Sequence, residues 1–363
     1  MMKHENLTRG SGGRVRRARR AAEIVTAPVA RRTAGLFDLQ VNGYAGVDFN
    51  SLGLTPDALD HALHAMLQAG VTHCLPTLIT AAEPVLAARL AALDHAIRAS
   101  RLGPIMVPGI HLEGPFLNPT PGYAGCHPAD AMIPADPAPL GRLMHGIATP
   151  LRLLTLAPER PGALAVVQWA RQRGIVTAMG HTAADLDTVR LAAEAGITLS
   201  THLGNALPQP QPKFLNPLMA QLAEDRLSAS FIADGIHIPP HALGVLLRAK
   251  GLERCILVTD ATAAAATAPG VYEFAGMRIE HAADGSVREP GSPVLAGSAL
   301  CLDQAVRNVV GWGFANAEQA IALASTHPAA LLGVTLASEV TWDAGLTPGE
   351  VKVGDIAVAI QAR

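Results

Sequence analysis

Residues 175–206, IVTAMGHTAADLDTVRLAAEAGITLSTHLGNA, hold one full unit of this chain's organisation. An apolar run at 175–180 is followed by His181, an alanine- and leucine-rich segment of helical period spans 185–195, and a second apolar run at 197–202 ends in His202. Strand, helix, strand in so short a span reads as a βαβ unit. Outward from it, the same alternation marks candidate strands at 36–42, 71–78, 105–112, 151–157, 228–234 and 255–260, which brings the count to eight. Candidate helices fall at 56–69, 82–100, 162–173, 216–224, 240–250 and 299–311, the first with Thr55 as N-cap and Pro56 at its first position. Eight such units in about 290 residues match an α/β fold of the (β/α)8 TIM-barrel type, whose catalytic residues sit at the C-terminal ends of the strands. A doubly wound sheet fits less well, because Asn42-Gly43-Tyr44-Ala45-Gly46 after the first strand is not a G-x-G-x-x-G phosphate loop.

The 363 residues are 49% hydrophobic but only 4% aromatic, so a core of Ala, Leu, Val and Ile is expected, and a disordered or disulfide-stapled chain is excluded. The formal charge of −2 hides an asymmetry. Residues 1–35 carry nine Lys and Arg against Glu5 and Glu23, a balance of +7, which leaves −9 on the remainder. An acidic body argues against a nucleic-acid-binding surface on the folded part, so no nucleic-acid partner is expected. Cys74, Cys126, Cys255 and Cys301 form no C-x-x-C pair and read as reduced thiols of a cytoplasmic protein. No apolar run reaches 18 residues, and no apolar segment follows the early arginines; neither a membrane span nor a secretory signal is expected.

These boundaries divide the chain into a basic N-terminal segment with part of a β-layer (1–35), the barrel (36–333) and a C-terminal β-layer (334–363). The two ends are expected to pair into a small, reduced β-sandwich. The Gly/Pro-rich insertion at 262–297 reads as a long functional loop over the barrel mouth.

Polar residues interrupt the strands at one end only. Glu113 follows His111-Leu112, His181 follows Gly180, and His202 follows Thr201; Asp234 and His237 close the seventh strand, and Asp260 the eighth. In a barrel these ends converge on one mouth. A carboxylate with two imidazoles suits a borderline-soft divalent ion such as zinc, with a position left open for water. A single histidine at a strand end is more often a hydrogen-bonded structural residue, and the chain has 14 histidines; His61, His64 and His95 fall in candidate helices and read as solvated. Coincidence at five strand ends carries the functional reading.

The segments GLFDLQVNGYAGVDFN (35–50), PTLIT (76–80), GIHLEGPFLN (109–118), LAPE (156–159), GHTAAD (180–185), THLGNALP (201–208), FIADGIH (231–237), LVTDAT (257–262) and LAGSAL (295–300) occur in this order. In them the chain resembles the N-acetylglucosamine-6-phosphate deacetylase family of the amidohydrolase superfamily. The resemblance implies a metal-dependent hydrolase that removes acetate from N-acetylglucosamine 6-phosphate. It implies Glu113, His181 and His202 as metal ligands and Asp260 as the general base that takes a proton from water and returns it to the leaving amine. His237 and His127 would contact substrate, as would Cys126, Asn205, Ala206, Leu295, Ala296 and Gly297. The chemistry agrees: an amide is a poor electrophile and water a weak nucleophile, and a divalent ion acts on both. Many amidohydrolases carry H-x-H on the first strand for a second metal, whereas this chain has Gln40-Val41-Asn42. Amides bind zinc weakly, so one divalent ion per subunit is expected, zinc first.

Where the family's R-E-P-G arginine reaches the substrate phosphate across a dimer interface, this chain has Lys213-Phe214. Lysine retains a point charge but loses the bidentate fork. The substrates left open are therefore the 6-phosphate of N-acetylglucosamine, that of N-acetylgalactosamine, and an N-acyl sugar or cyclic amide without phosphate. A homodimer is implied by the resemblance alone.

Overall fold

A computed structural model describes residues 31–360; the rest of the basic N-terminal segment, up to residue 30, lies outside the described residues. Eight parallel strands form the barrel: Leu36–Val41, Val71–Ile79, Ile110–Glu113, Leu151–Leu156, Val176–Met179, Ile197–Ser200, Ser228–Ile232 and Cys255–Val258. Each pairs in parallel with its neighbour in sequence. The ring closes where the first strand meets the end of the eighth, through a parallel bridge between Val41 and Ala261 and hydrogen bonds from Asp260 N to Gln40 O (2.9 Å) and Asn42 N to Ala261 O (2.7 Å). The fold is a (β/α)8 TIM barrel.

The helices pack outside as their patterns require. Helix Pro56–Gln68 buries Leu59, Ala62, Leu63, Met66 and Leu67, a stripe at i, i+3, i+4, i+7 and i+8, and Thr55 Oγ1 caps it by accepting from Ala58 N. The expected third strand begins late. Gly103–Met106 is a single helical turn with Pro104 near its start, and Pro108 ends helix formation, leaving Val107 extended; strand pairing starts at Ile110. Helices Pro137–Leu143, Ala317–Leu323 and Thr326–Leu332 escaped the periodicity reading, although Asn316 and Gln319 form a capping box at the second of them.

The insertion at 262–297 is built rather than irregular. Gly270–Phe274, Met277–His281 and Val287–Arg288 form an antiparallel sheet. Its first hairpin turns at Ala275 (φ 53°) and Gly276 (φ 83°), two left-handed residues of the kind a tight two-residue hairpin needs. Arg31–Thr33 joins Ser338–Trp342, Pro348–Val353 and Ile356–Ala359 in a four-stranded antiparallel sheet made from both ends of the described chain. Trp342 is its buried anchor, with Nε1 donating to Thr33 Oγ1 (2.8 Å).

Below the mouth the barrel interior is polar but satisfied. His111, fully buried, contacts Thr77 Oγ1 through Nδ1 (3.2 Å) and Thr155 Oγ1 through Nε2 (2.8 Å), and Thr155 continues to Thr201 (2.8 Å). Burial lowers the His111 pKa to about 4, so this floor stays neutral near pH 7.

Candidate active site

Three of the expected residues occupy unusual backbone. His181 (φ 51°), His202 (φ 30°) and Asp260 (φ 50°) all lie in the left-handed region, which costs a non-glycine residue about 1–3 kcal/mol. Hydrogen bonds hold each kink. Asn118 N donates to His181 O (3.0 Å), His202 N to Ser230 Oγ (2.8 Å), Asp260 N to Gln40 O and Ser298 N to Asp260 O (2.9 Å each). The turn after His181 is latched further by Glu159, which accepts from Asn118 Nδ2 (2.9 Å), Ala183 N (2.6 Å) and Thr182 Oγ1.

These kinks bring three donor atoms together. Glu113 Oε1 lies 3.3 Å from His181 Nε2 and 3.1 Å from His202 Nε2, and the two nitrogens are 3.2 Å apart. Tetrahedral zinc with ligands at about 2.0–2.1 Å needs donor separations of about 3.3 Å, so the trio fits three corners of such a site. His181 Nδ1 faces Tyr123 O at 2.8 Å, where it must donate; this fixes the tautomer that leaves Nε2 as an acceptor for metal. Glu113, His127 and His181 also group within 4.8 Å, but His127 approaches the other carboxylate oxygen, Oε2, at 3.5 Å. The two groupings share Glu113 and His181 and differ in whether His202 or His127 completes them. Burial opposes ionisation of Glu113, but the imidazoles of His127, His181 and His202 outweigh it and hold the carboxyl well below its usual range.

A cavity of about 600 Å³ opens above the trio. Its wall includes Glu113, Cys126, His127, His181, His202, Asn205, Ala206, His237, Asp260, Leu295 and Gly297, which is most of the expected set. His127 Nδ1 meets Thr80 Oγ1 (3.1 Å), and burial, with His181 beside it, lowers its pKa to about 4. His237 commits Nδ1 to Asp234 Oδ2 (2.6 Å), leaving Nε2 as its other ring nitrogen. Asp260 is pushed up to about 6, chiefly by burial; Glu113 adds to the shift while His202 and Asn42 oppose it. Gly297 (φ 62°) passes so close to Asp260 that a Cβ there would lie 2.8 Å from Asp260 O and 2.6 Å from Thr262 Cγ2.

Two expected contacts are not brought to this cavity. Lys213 is exposed and does not line it; the loop carries prolines at 208, 210 and 212, and Phe214 and Leu215 beyond it are 75% and 87% exposed. Ala296 is buried in the small core with Ile79, Phe274 and Ile279, so only its neighbours Leu295 and Gly297 face the cavity. Among the described residues, no Lys or Arg lines the wall. A wider cleft of about 840 Å³, with Tyr44, Asp234 and Asp303 in its wall, shares no lining residue with this one and holds none of Glu113, His181, His202 and Asp260.

Sequence reasoning missed several participants. Asp234 was placed at a strand end but given no partner, although its i, i+3 spacing to His237 was the available signal. Gln40 and Asn42 were read only as poor ligands. In the structure Gln40 Nε2 donates to Glu113 Oε2 (3.1 Å) and Asp260 Oδ1 (3.2 Å), and Asn42 Nδ2 to Asp260 Oδ1 (2.8 Å).

No family model matches the chain. Individual proteins do. N-acetylgalactosamine-6-phosphate deacetylase of Escherichia coli O157:H7 is 34% identical over 320 residues, 86% of this chain and 82% of that protein. N-acetylglucosamine-6-phosphate deacetylase of Bos taurus is 33% identical over 83% of this chain and 74% of its own. Among solved structures, a mutant N-acetyl-D-glucosamine-6-phosphate deacetylase of Mycobacterium smegmatis in complex with N-acetyl-D-glucosamine-6-phosphate superposes with a TM-score of 0.79 at 31% identity, covering 89% of this chain and 85% of that one. The Pasteurella multocida enzyme of the same name gives 0.80 at 25% identity, covering 91% and 87%. With barrel, strand-end donors and this extent of shared sequence together, the chain belongs to the N-acetylglucosamine-6-phosphate deacetylase family.

Proposed function

We propose that the chain is a metal-dependent amide hydrolase that converts N-acetylglucosamine 6-phosphate to glucosamine 6-phosphate and acetate. The observation that carries this reading is the juxtaposition of the Glu113, His181 and His202 donor trio with Asp260 in one cavity. Glu113 Oε1, His181 Nε2 and His202 Nε2 would hold one divalent ion, zinc by the nitrogen-rich donor set and the spacing. When bound, such an ion supplies Lewis acidity, making water easier to deprotonate near neutral pH and drawing electron density from a carbonyl.

The chain's own residues supply the proton transfers. Hydrolysis forms a C–O bond and breaks the C–N bond, and the departing nitrogen needs a proton. Asp260 Oδ2, which makes no hydrogen bond among the described residues, takes that proton from the attacking water and delivers it to the amine. His237, oriented through Nδ1 by Asp234, offers Nε2 to the sugar or the acetyl oxygen. His127 stays neutral and positions substrate by hydrogen bonding rather than by charge. Asn205, Ala206, Cys126, Leu295 and Gly297 shape the pocket around the acetamido group.

The same reading carries a cytoplasmic homodimer with one zinc ion per subunit. The single ion is supported by the Gln40-Val41-Asn42 sequence on the first strand and the cytoplasmic setting by the free cysteines, while the homodimer rests on the family resemblance alone. No helix of the described residues is long and apolar enough to cross a membrane.

A second reading, the same reaction on an N-acetylhexosamine without phosphate, is favoured by the lack of Lys and Arg among the described residues of the cavity wall. Acetate release from N-acetylglucosamine, N-acetylgalactosamine and their 6-phosphates decides between them. A charge-assisted phosphate contact is worth about 1.5–3 kcal/mol, so the first reading expects kcat/KM at least about tenfold higher for a 6-phosphate. Equal values support the second. No acetate from any of the four refutes both.

A further inference from the structure

Asp38, Gln40 and Asn42 alternate along the first strand and its exit, so all three side chains leave one face of it and point toward the eighth strand. Each ties to that strand. Asp38 Oδ1 accepts from Thr259 N (3.2 Å) and Oδ2 from Thr259 Oγ1 (2.5 Å), while Gln40 and Asn42 both donate to Asp260 Oδ1. Gln40 and Asn42 are only 2% and 1% exposed.

The two amides divide the labour of the carboxylates. Gln40 spends its two Nε2 hydrogens on different groups, Glu113 Oε2 and Asp260 Oδ1, and so links two carboxylates that would otherwise repel each other. Glu113 keeps Oε1 for His181 and His202 because Oε2 is occupied. Asp260 keeps Oδ2 for the reaction because Oδ1 already receives two N–H donors. Asn42 cannot be flipped, since its oxygen would then face a carboxylate oxygen at 2.8 Å. Held this way, Asn42 Oδ1 is buried with no hydrogen-bond partner among the described residues. An orphaned acceptor costs stability, and an apolar side chain of the same size would avoid the cost. Bearing it is understandable if the opposite end of the amide serves the reaction.

We propose that Gln40 and Asn42 are positioning residues for deacetylation. Asn42 fixes Asp260 with only Oδ2 offered to water and amine, and Gln40 couples that carboxylate to Oε2 of the ligand Glu113. The inference rests on the deacetylase reading, and its test separates the two. Wild type, Asn42→Leu, Asn42→Asp and Gln40→Met are purified with zinc and compared for kcat and KM by acetate release, for bound zinc by elemental analysis after dialysis against a chelator, and for Tm.

For Asn42→Leu we expect kcat to fall on the order of 10- to 100-fold with KM within about twofold, zinc content unchanged and Tm equal or higher. Asn42→Asp keeps the shape but loses the donor and should show the same loss of kcat. Gln40→Met should lose kcat and also retain zinc less well, by about 10- to 100-fold in affinity, because Glu113 loses a hydrogen bond. The proposal is overturned if both Asn42 variants keep kcat within about threefold, or if their losses merely follow lost zinc or lost folded protein. A wild-type protein that releases no acetate from any N-acetylhexosamine or its 6-phosphate overturns the deacetylase reading itself, and the positioning claim with it.

Discussion

Asp260 meets three demands at once: a left-handed backbone, an Oδ1 held by two N–H donors and a place in the cavity wall. Asp260→Asn keeps the shape and removes the base, so acetate release should fall on the order of 10²–10⁴-fold while elemental analysis still finds the metal. Loss of the metal together with activity would instead make Asp260 a ligand. The pH dependence has a defined sign. The carboxyl is raised to about 6, mainly by burial, and must be ionised to accept a proton. A bound divalent cation favours the ionised form, so the kcat/KM profile should be level near neutral pH and fall about tenfold per unit on the acid side, with its break at or below pH 6, measured by acetate release between pH 4 and 8. An acid limb that persists unchanged in the residual activity of Asp260→Asn would remove Asp260 from the proton path. At this scale the sequence was legible where chemistry forces a rare residue type onto a strand end, as with Glu113, His181, His202 and Asp260. Gln40 and Asn42 were half legible: their presence was visible, but a hydrogen bond to a residue more than 200 positions away leaves no local pattern.

Between strand and helix, the turns after the fifth and sixth strands set the donor geometry. Glu159, on the turn that follows Leu151–Leu156, latches the His181 turn through Thr182, Ala183 and Asn118. Glu159→Ala should leave the barrel folded but loosen that turn, weakening zinc binding about 10- to 100-fold in competition with a chromophoric chelator. Unchanged affinity would mean that barrel packing alone holds His181. The eight strands were readable because parallel strands buried on both faces are continuous apolar runs. Short elements were less so. Ile110–Glu113 was drawn too early because Pro104 and Pro108 divide one apolar run into a helical turn and a strand. The insertion reads as loop because Gly and Pro recur through it, although Tyr272 to Ile279 alternates around a two-residue turn.

For the whole molecule, the −9 body does not attract an anionic substrate at long range, so any phosphate selectivity rests on local groups. Lys213 carries its charge at the family arginine's place in sequence and lies exposed outside this chain's own cavity, so a phosphate contact from it would have to be made across a subunit interface. Stability should also respond to pH through strand closure. Burial raises the Asp38 carboxyl from 3.8 to about 7, with hydrogen bonds from Thr259 and Gln40 opposing the shift. The folded chain therefore keeps this proton between about pH 4 and 7 where the unfolded chain has released it, so Asp38's contribution falls as pH rises through that window. Asp38→Asn should raise the stability at pH 8 relative to that at pH 5, compared with wild type, in urea unfolding. An unchanged difference would mean that Asp38 is ionised in the fold across that range. The account as a whole stands on one measurement: acetate release from N-acetylglucosamine 6-phosphate by the purified chain, first stripped with chelator and then resupplied with one equivalent of zinc. The account predicts no release from the stripped protein and full recovery at one ion per chain; full activity in the stripped protein, or none after zinc is restored, would contradict it.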